Sequence, residues 1–169
     1  MSGKSASSEA DERGLRLALH QPDRPHNFGA ALRLCACLGV RLDVVEPCGF
    51  PFDDRRIRQG ALDYGGHARW VRHMDFAAFE MQRLAERRRL VLLTTAGEHF
   101  YHHAVYEPGD ILMLGSESAG VPEVVHRRAD LRVRIPMREG LRSLNVGTAA
   151  AIVLAEALRQ TGGLPEAQP

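Results

Sequence analysis

The residues of this chain best suited to hold a small molecule lie between Asp110 and Asn145. Gly115-Ser116-Glu117-Ser118-Ala119-Gly120 follows the apolar run Ile111 to Leu114, and Leu141-Arg142-Ser143-Leu144-Asn145 follows Ile135-Pro136-Met137. Small residues at such places let backbone amides and carbonyls approach a ligand closely. Neither loop is a phosphate cradle, since the chain has no GxxxxGK[ST] and no GxGxxG. The chemistry they suit is capture of a ligand by backbone groups. Asn27, Gly29 and Arg33 form a second candidate group near the start of the chain.

The elements around these residues read as alternating strands and helices, which predicts α/β architecture with a parallel sheet. Ile111 to Leu114 is apolar throughout, as in a strand buried on both faces. Pro122 sits where a helix begins. Loops at the carboxyl ends of such strands are where open α/β sheets bind ligands. Leu15 to His20 alternates apolar and polar residues, as a first strand does, and Asn27 reads as the N-cap of a helix from Phe28 to Leu38 with Gly39 after it. Phe28, Ala31, Leu32, Cys35 and Leu38 share one face of that helix. Arg33 lies off that face, as a solvated arginine would, but along the first strand-to-helix turn, the functional edge of such a sheet.

Further strands are expected at Leu42 to Glu46, at Trp70-Val71 and from Arg89 to Thr95, with an amphipathic helix over Phe76 to Arg88. Asp53-Asp54 opens a short basic helix carrying Arg55, Arg56 and Arg58, either a solvated face or a phosphate contact. Glu98 to Pro108 holds Phe100, Tyr101, Tyr106 and several histidines without a period, and packing is the role expected of its aromatics. A final helix runs from Asn145 to Gln160, with Gly162-Gly163 as its stop. Val146 to Leu154 is apolar or small on nearly every side, which predicts burial, in this small protein against a partner subunit. Residues 14–162 thus form one domain, with 1–13 as a disordered arm and 163–169 as a flexible tail.

The 169 residues and net charge of +1 suit a single globular domain and neither demand nor exclude nucleic acid. Every basic residue but Lys4 is arginine. No apolar run approaches the roughly 20 residues that span a bilayer, and the Ser-rich start lacks the hydrophobic segment of a secretory signal. Cys35, Cys37 and Cys48 form no CxxC pair, and the first two would point about 200° apart on a helix. Buried cytosolic thiols are expected, not a disulfide or zinc site. His99 and His103 have helical spacing but no third ligand for a metal.

Three spaced motifs resemble the SPOUT superfamily of methyltransferases, in its TrmH-like branch of RNA ribose 2′-O-methylating enzymes. They are Asn27-x-Gly29-x-x-x-Arg33, Gly115-x-Glu117-x-x-Gly120, and Ile135-Pro136-Met137 followed by Ser143-Leu144-Asn145. Arg33-Leu34-Cys35-Ala36, Glu46-Pro47-Cys48-Gly49-Phe50 and Leu62-Asp63-Tyr64 are similar to the minimal single-domain subgroup called TrmL, which methylates the wobble ribose of certain leucine tRNAs. The resemblance implies a C-terminal trefoil knot, an exception to unknotted topology, and a cytoplasmic homodimer acting on tRNA. It implies S-adenosylmethionine as cofactor, S-adenosylhomocysteine as product and no metal. The cofactor would meet Leu93, Thr94, Thr95, Gly115, Glu117, Gly120, Ile135, Met137, Ser143, Leu144 and Asn145. Arg33 would carry the central catalytic role, with Asn27, Glu117, Ser143 and Asn145 shaping the site. Because a guanidinium keeps its proton, hydrogen bonding to the hydroxyl and a phosphate is the role expected of Arg33. Arg24, Arg33, Arg55, Arg56 and Arg58 would contact RNA. Departures from the subgroup fall at Ala30, Ala119 and Gly147-Thr148. Methylation of ribosomal RNA or of another tRNA position, and a non-catalytic RNA-binding module, are the alternatives.

Overall fold

In the computed structural model, residues 14–52 and 67–166 are described. The basic run Arg55, Arg56 and Arg58, the segment Leu62-Asp63-Tyr64 and the arm 1–13 lie outside them. Seven strands form one sheet in which every recorded pairing is parallel. They are β1 (Arg16–His20), β2 (Arg41–Val45), β3 (Trp70–His73), β4 (Leu90–Leu93), β5 (His99–Phe100), β6 (Ile111–Leu114) and β7 (Leu131–Arg134). Their spatial order is β3-β2-β1-β6-β4-β7-β5.

Side chains alternate across the sheet and define two cores. Leu17, Leu19, Leu112, Leu114, Val91 and Val133 pack on one face against Phe28, Leu32 and Cys35 of α1 (Pro25–Leu38) and Val153, Leu154 and Leu158 of α4 (Val146–Thr161). Ala18, Leu90, Leu92, Ile111 and Met113 face the other way, onto Phe79 of α2 (Phe76–Ala85) and Val125 of α3 (Glu123–Arg128). The uninterrupted apolar run of β6 is thus split between two hydrophobic layers, as expected of a doubly covered strand.

Several local expectations are corrected. The polar positions of β1 do not face water. Arg16 is buried with its Nη1 2.6 Å from Glu86 Oε2, and buried His20 meets the Phe76 ring edge-on. The first helix starts at Pro25, not after Asn27, because proline's fixed φ suits the first helical position. Asn27 is therefore a buried residue of the first turn rather than its cap. Helix α2 stops at Ala85, short of Arg88; Arg87 takes a positive φ of 54°, and Arg88 turns back to donate to the carbonyls of Gly14 and Gly109. Of the thiols only Cys35 is buried, while Cys37 is exposed and Cys48 half-buried.

The aperiodic segment from Glu98 contains β5, and its Tyr106 packs in the core and donates its hydroxyl to the Tyr101 carbonyl at 2.8 Å. Burial against α1 and the sheet accounts for one face of α4. Val146, Ala149, Ala151 and Ile152 stay only partly covered.

Candidate functional site

Three loops leave the sheet where β4, β6 and β7 end. The turn after β4 is pressed against the end of β7: Thr94 N donates to Val133 O at 2.9 Å, and a side chain on Gly97 would come within 2.4 Å of the Val133 carbonyl carbon. After β6 the chain folds into a miniature hairpin, with Ser116 and Gly120 exchanging backbone hydrogen bonds of 3.0 and 2.9 Å. Gly115 is obligatory here, since a Cβ would lie 2.3 Å from the Gly120 carbonyl carbon, and Gly120 itself has a φ of +66°. After β7, residues 135–145 run to the start of α4 in extended and turn conformations.

Between the loops is a cavity of about 660 Å³. Leu93, Thr94 and Thr95 line it from the first loop, Gly115, Glu117 and Gly120 from the second, and Ile135, Met137, Ser143, Leu144 and Asn145 from the third. Every residue expected at a cofactor therefore reaches one cavity. His126, Arg134 and Arg142 also line it and were not anticipated. Arg142 adjoins Ser143, and Arg134 precedes Ile135 with its guanidinium 4.7 Å over the Phe100 ring. Alternation along β7 was the signal that could have placed Arg134 beside the loop.

Asn145 joins the parts. Its Oδ1 accepts from Gly147 N at 2.9 Å and Thr148 N at 3.2 Å, capping α4. Its Nδ2 lies 3.1 Å from Asn27 Oδ1 and 3.2 Å from Glu117 Oε1, so one amide links α4, α1 and the hairpin. Helix α1, which Asn27 was expected to cap, has no side-chain cap, and buried Asn27 instead accepts from the residue that caps α4. Glu117 Oε2 pairs with Arg24 Nε at 3.1 Å. Asp23 Oδ1 and Oδ2 accept from the amides of Glu117 and Ser118 at 3.3 and 3.1 Å. Hydrogen bonding by the Ser118 side chain chiefly holds the Asp23 carboxyl below its ordinary range. Arg33 is exposed on α1 and does not line the cavity. Among the described residues, no group of His, Cys, Asp and Glu side chains could hold a metal ion, and no helix is long and apolar enough to cross a membrane.

Fold and site define an α/β protein whose ligand cavity is built from backbone loops at the carboxyl edge of a parallel sheet. The sequence profile of the SpoU rRNA methylase family matches residues 14–155, and the chain belongs to that family. It is 53% identical over 148 residues to a tRNA (cytidine(34)-2'-O)-methyltransferase of Beijerinckia indica, a match spanning 88% of this chain and 92% of that protein. A structure described as giving insight into the 2-OH methylation of C/U34 on tRNA superposes with a TM-score of 0.79 at 36% identity, covering 88% of this chain and 97% of that one. The SpoU methyltransferase AviRb from Streptomyces viridochromogenes, in complex with AdoMet, superposes with a TM-score of 0.77 at 25% identity over 88% of this chain and 58% of its own.

Proposed function

We propose that this chain binds S-adenosylmethionine in the cavity and methylates the ribose 2′-hydroxyl of the wobble nucleotide of tRNA. The observation that carries this reading is the Glu117–Asn145–Asn27 bridge at a cavity lined by backbone loops, in a chain so similar to enzymes named for that reaction. The residues fit the cofactor. The volume suits a small-molecule site, Leu93, Ile135 and Leu144 offer apolar surface to a purine ring, and Gly115 leaves room for backbone contact.

S-adenosylmethionine, when bound, supplies an electrophilic methyl group on a sulfonium, already a good leaving group. The protein's task is then alignment, which can supply much of the acceleration. Asn145, immobilised by its capping bonds, fixes the Glu117 carboxylate, and each oxygen of Glu117 keeps a lone pair for the incoming hydroxyl. Ser143 adds a hydroxyl at the cavity wall. Arg33 would orient the ribose hydroxyl and its phosphate with a charge that stays on the guanidinium. Its position outside the cavity supports a homodimer in which it reaches the other subunit's site, and the partly covered face of α4 is the surface such a dimer would bury.

Arg24, although held by Glu117, is exposed enough to meet phosphate as well. A trefoil knot in the C-terminal half, leucine tRNAs as targets, action in the cytoplasm, and an arm and tail flanking a domain at 14–162 belong to the same proposal. Labelled S-adenosylmethionine, incubated with the protein and total tRNA lacking wobble ribose methylation, should label nucleotide 34. Label at another position or only in ribosomal RNA would overturn the target, and absence of cofactor binding would overturn the enzyme.

A further inference from the structure

We infer that Asp23 is a positioning residue that clamps the hairpin after β6 from outside and so sets the shape of the cofactor wall. The inference rests on the cofactor reading above. Ser116, Glu117, Ala119 and Gly120 line the cavity, whereas Asp23 and Ser118 do not. The Ser118 amide turns away from the cavity and donates to Asp23 Oδ2 at 3.1 Å, and the Glu117 amide reaches Oδ1 at 3.3 Å. One carboxylate thus holds two successive amides at the hairpin tip, a charge-assisted arrangement stronger than a neutral pair.

The clamp has a fixed base. Gly49 N donates to Pro22 O at 2.9 Å, and a side chain on Gly49 would come within 2.8 Å of Asp23 Cα, so the turn after β2 sits flush against the Asp23 backbone. Beside it, Arg24 grips the Glu117 carboxylate at 3.1 Å. Two consecutive residues therefore hold Glu117 at its amide and at its side chain. The hairpin's own two backbone bonds close it on itself but do not fix it relative to β1; Arg24 and Asn145 hold its Glu117 side chain, and Asp23 holds its backbone. With the carboxylate gone, Arg24 and Asn145 would still hold the Glu117 side chain, but the backbone at Glu117 and Ser118 would lose its anchor and the wall formed by Glu117 and Ala119 would loosen.

The test is calorimetric titration of the full chain with S-adenosylhomocysteine, alongside KM and kcat for methyl transfer. Asp23→Ala should bind about tenfold more weakly, the loss expected of charged hydrogen bonds, with KM for S-adenosylmethionine rising more than kcat falls. Asp23→Glu, which can still accept both amides, should recover most of the affinity. Asp23→Asn, of the same shape but with one acceptor, should lie between and show faster amide exchange across residues 116–120. Wild-type affinity in Asp23→Ala, or unchanged exchange in Asp23→Asn should the alanine variant not fold, would overturn the clamp. Failure of the wild-type protein to bind S-adenosylhomocysteine would overturn the cofactor reading instead.

Discussion

Where the strands of this sheet begin, arginines are buried against acids. Arg83 is 5% exposed, forms a bidentate pair with Glu80 at 2.7 Å through each nitrogen, and reaches Asp130 Oδ2 at 2.9 Å. Arg89 grips fully buried Asp110 with bonds of 2.9 and 2.8 Å, and Arg88 donates to the carbonyls of Gly14 and Gly109. Where the strands end, small residues and backbone dominate, and Arg134 and Arg142 at the cavity and Arg24 beside it, on Glu117, are exposed. The same residue type thus ties the loops entering the sheet and leaves charge available where the loops leave it. Burial decides the difference: a desolvated guanidinium must be paired, whereas an exposed one can wait for a phosphate.

The largest effect should come from breaking the closed edge. Asp110→Ala removes the Glu107 amide's acceptor and both carboxylate acceptors of the Arg89 guanidinium, which keeps Val105 O and Glu107 Oε1. Because Arg89 stays partly hydrated and keeps other partners, losing these bonds should cost about 2 kcal/mol. Urea denaturation should show the loss, while the folded fraction keeps its affinity for S-adenosylhomocysteine. Unchanged stability would show that the two edges do not differ as described. At the open edge the pattern should invert. Asn145→Ala removes a helix cap worth about 1 kcal/mol, yet it should slow methyl transfer by about 100-fold through misalignment. Near-normal turnover with a large fall in stability would make Asn145 a structural cap and nothing more.

The two edges also differ in how much of each can be read from the sequence. The loops of the cavity were legible because the carboxyl edge of a parallel sheet is local in sequence, a strand followed by glycines and small polar residues, whereas its individual residues were named through the resemblance of the motifs to a known family. Gly115 and Gly120 follow β6 directly, and their close approach is written in their types. The arginine edge was not legible, because Arg83 and Arg88 look like the solvated end of an amphipathic helix, with Glu80 one turn before Arg83 on the same helix, until Asp130 reaches Arg83 and the Gly14 and Gly109 carbonyls reach Arg88 from distant parts of the chain. The same limit hid the link from Asn145 to Asn27, which spans 118 positions and makes Asn27 an acceptor at the site rather than a helix cap. Asp23 sits between two prolines and near a helix start, so it reads as turn chemistry; only the folded hairpin shows what its carboxylate holds. Ala30 and Gly147, far apart in the sequence, meet in space, since a Cβ on Gly147 would lie 3.5 Å from that of Ala30.

The smallest effect expected is a chemical one, and it distinguishes a tight open edge from a loose one. Cys48 lies beside Gly49, whose backbone is bound to Pro22 and packed on Asp23. Burial first, then the nearby Glu46 carboxylate, pushes its thiol up to about 11, against the opposing charge of Arg72. Only the thiolate reacts, so alkylation of Cys48 should be slow near neutral pH and should rise about tenfold per pH unit until the thiol titrates. Exposed Cys37 should be modified first, and Cys35, buried and with its thiol raised chiefly by desolvation, last. A bulky label at Cys48 would push the Gly49 turn into Asp23 and loosen the hairpin that Asp23 holds. Affinity for S-adenosylhomocysteine should then fall severalfold, whereas label confined to Cys37, on α1, should leave it unchanged. Equal affinity after both modifications would mean that the turn after β2 does not press on the cofactor wall, and the open edge would be less tightly braced than its close contacts imply.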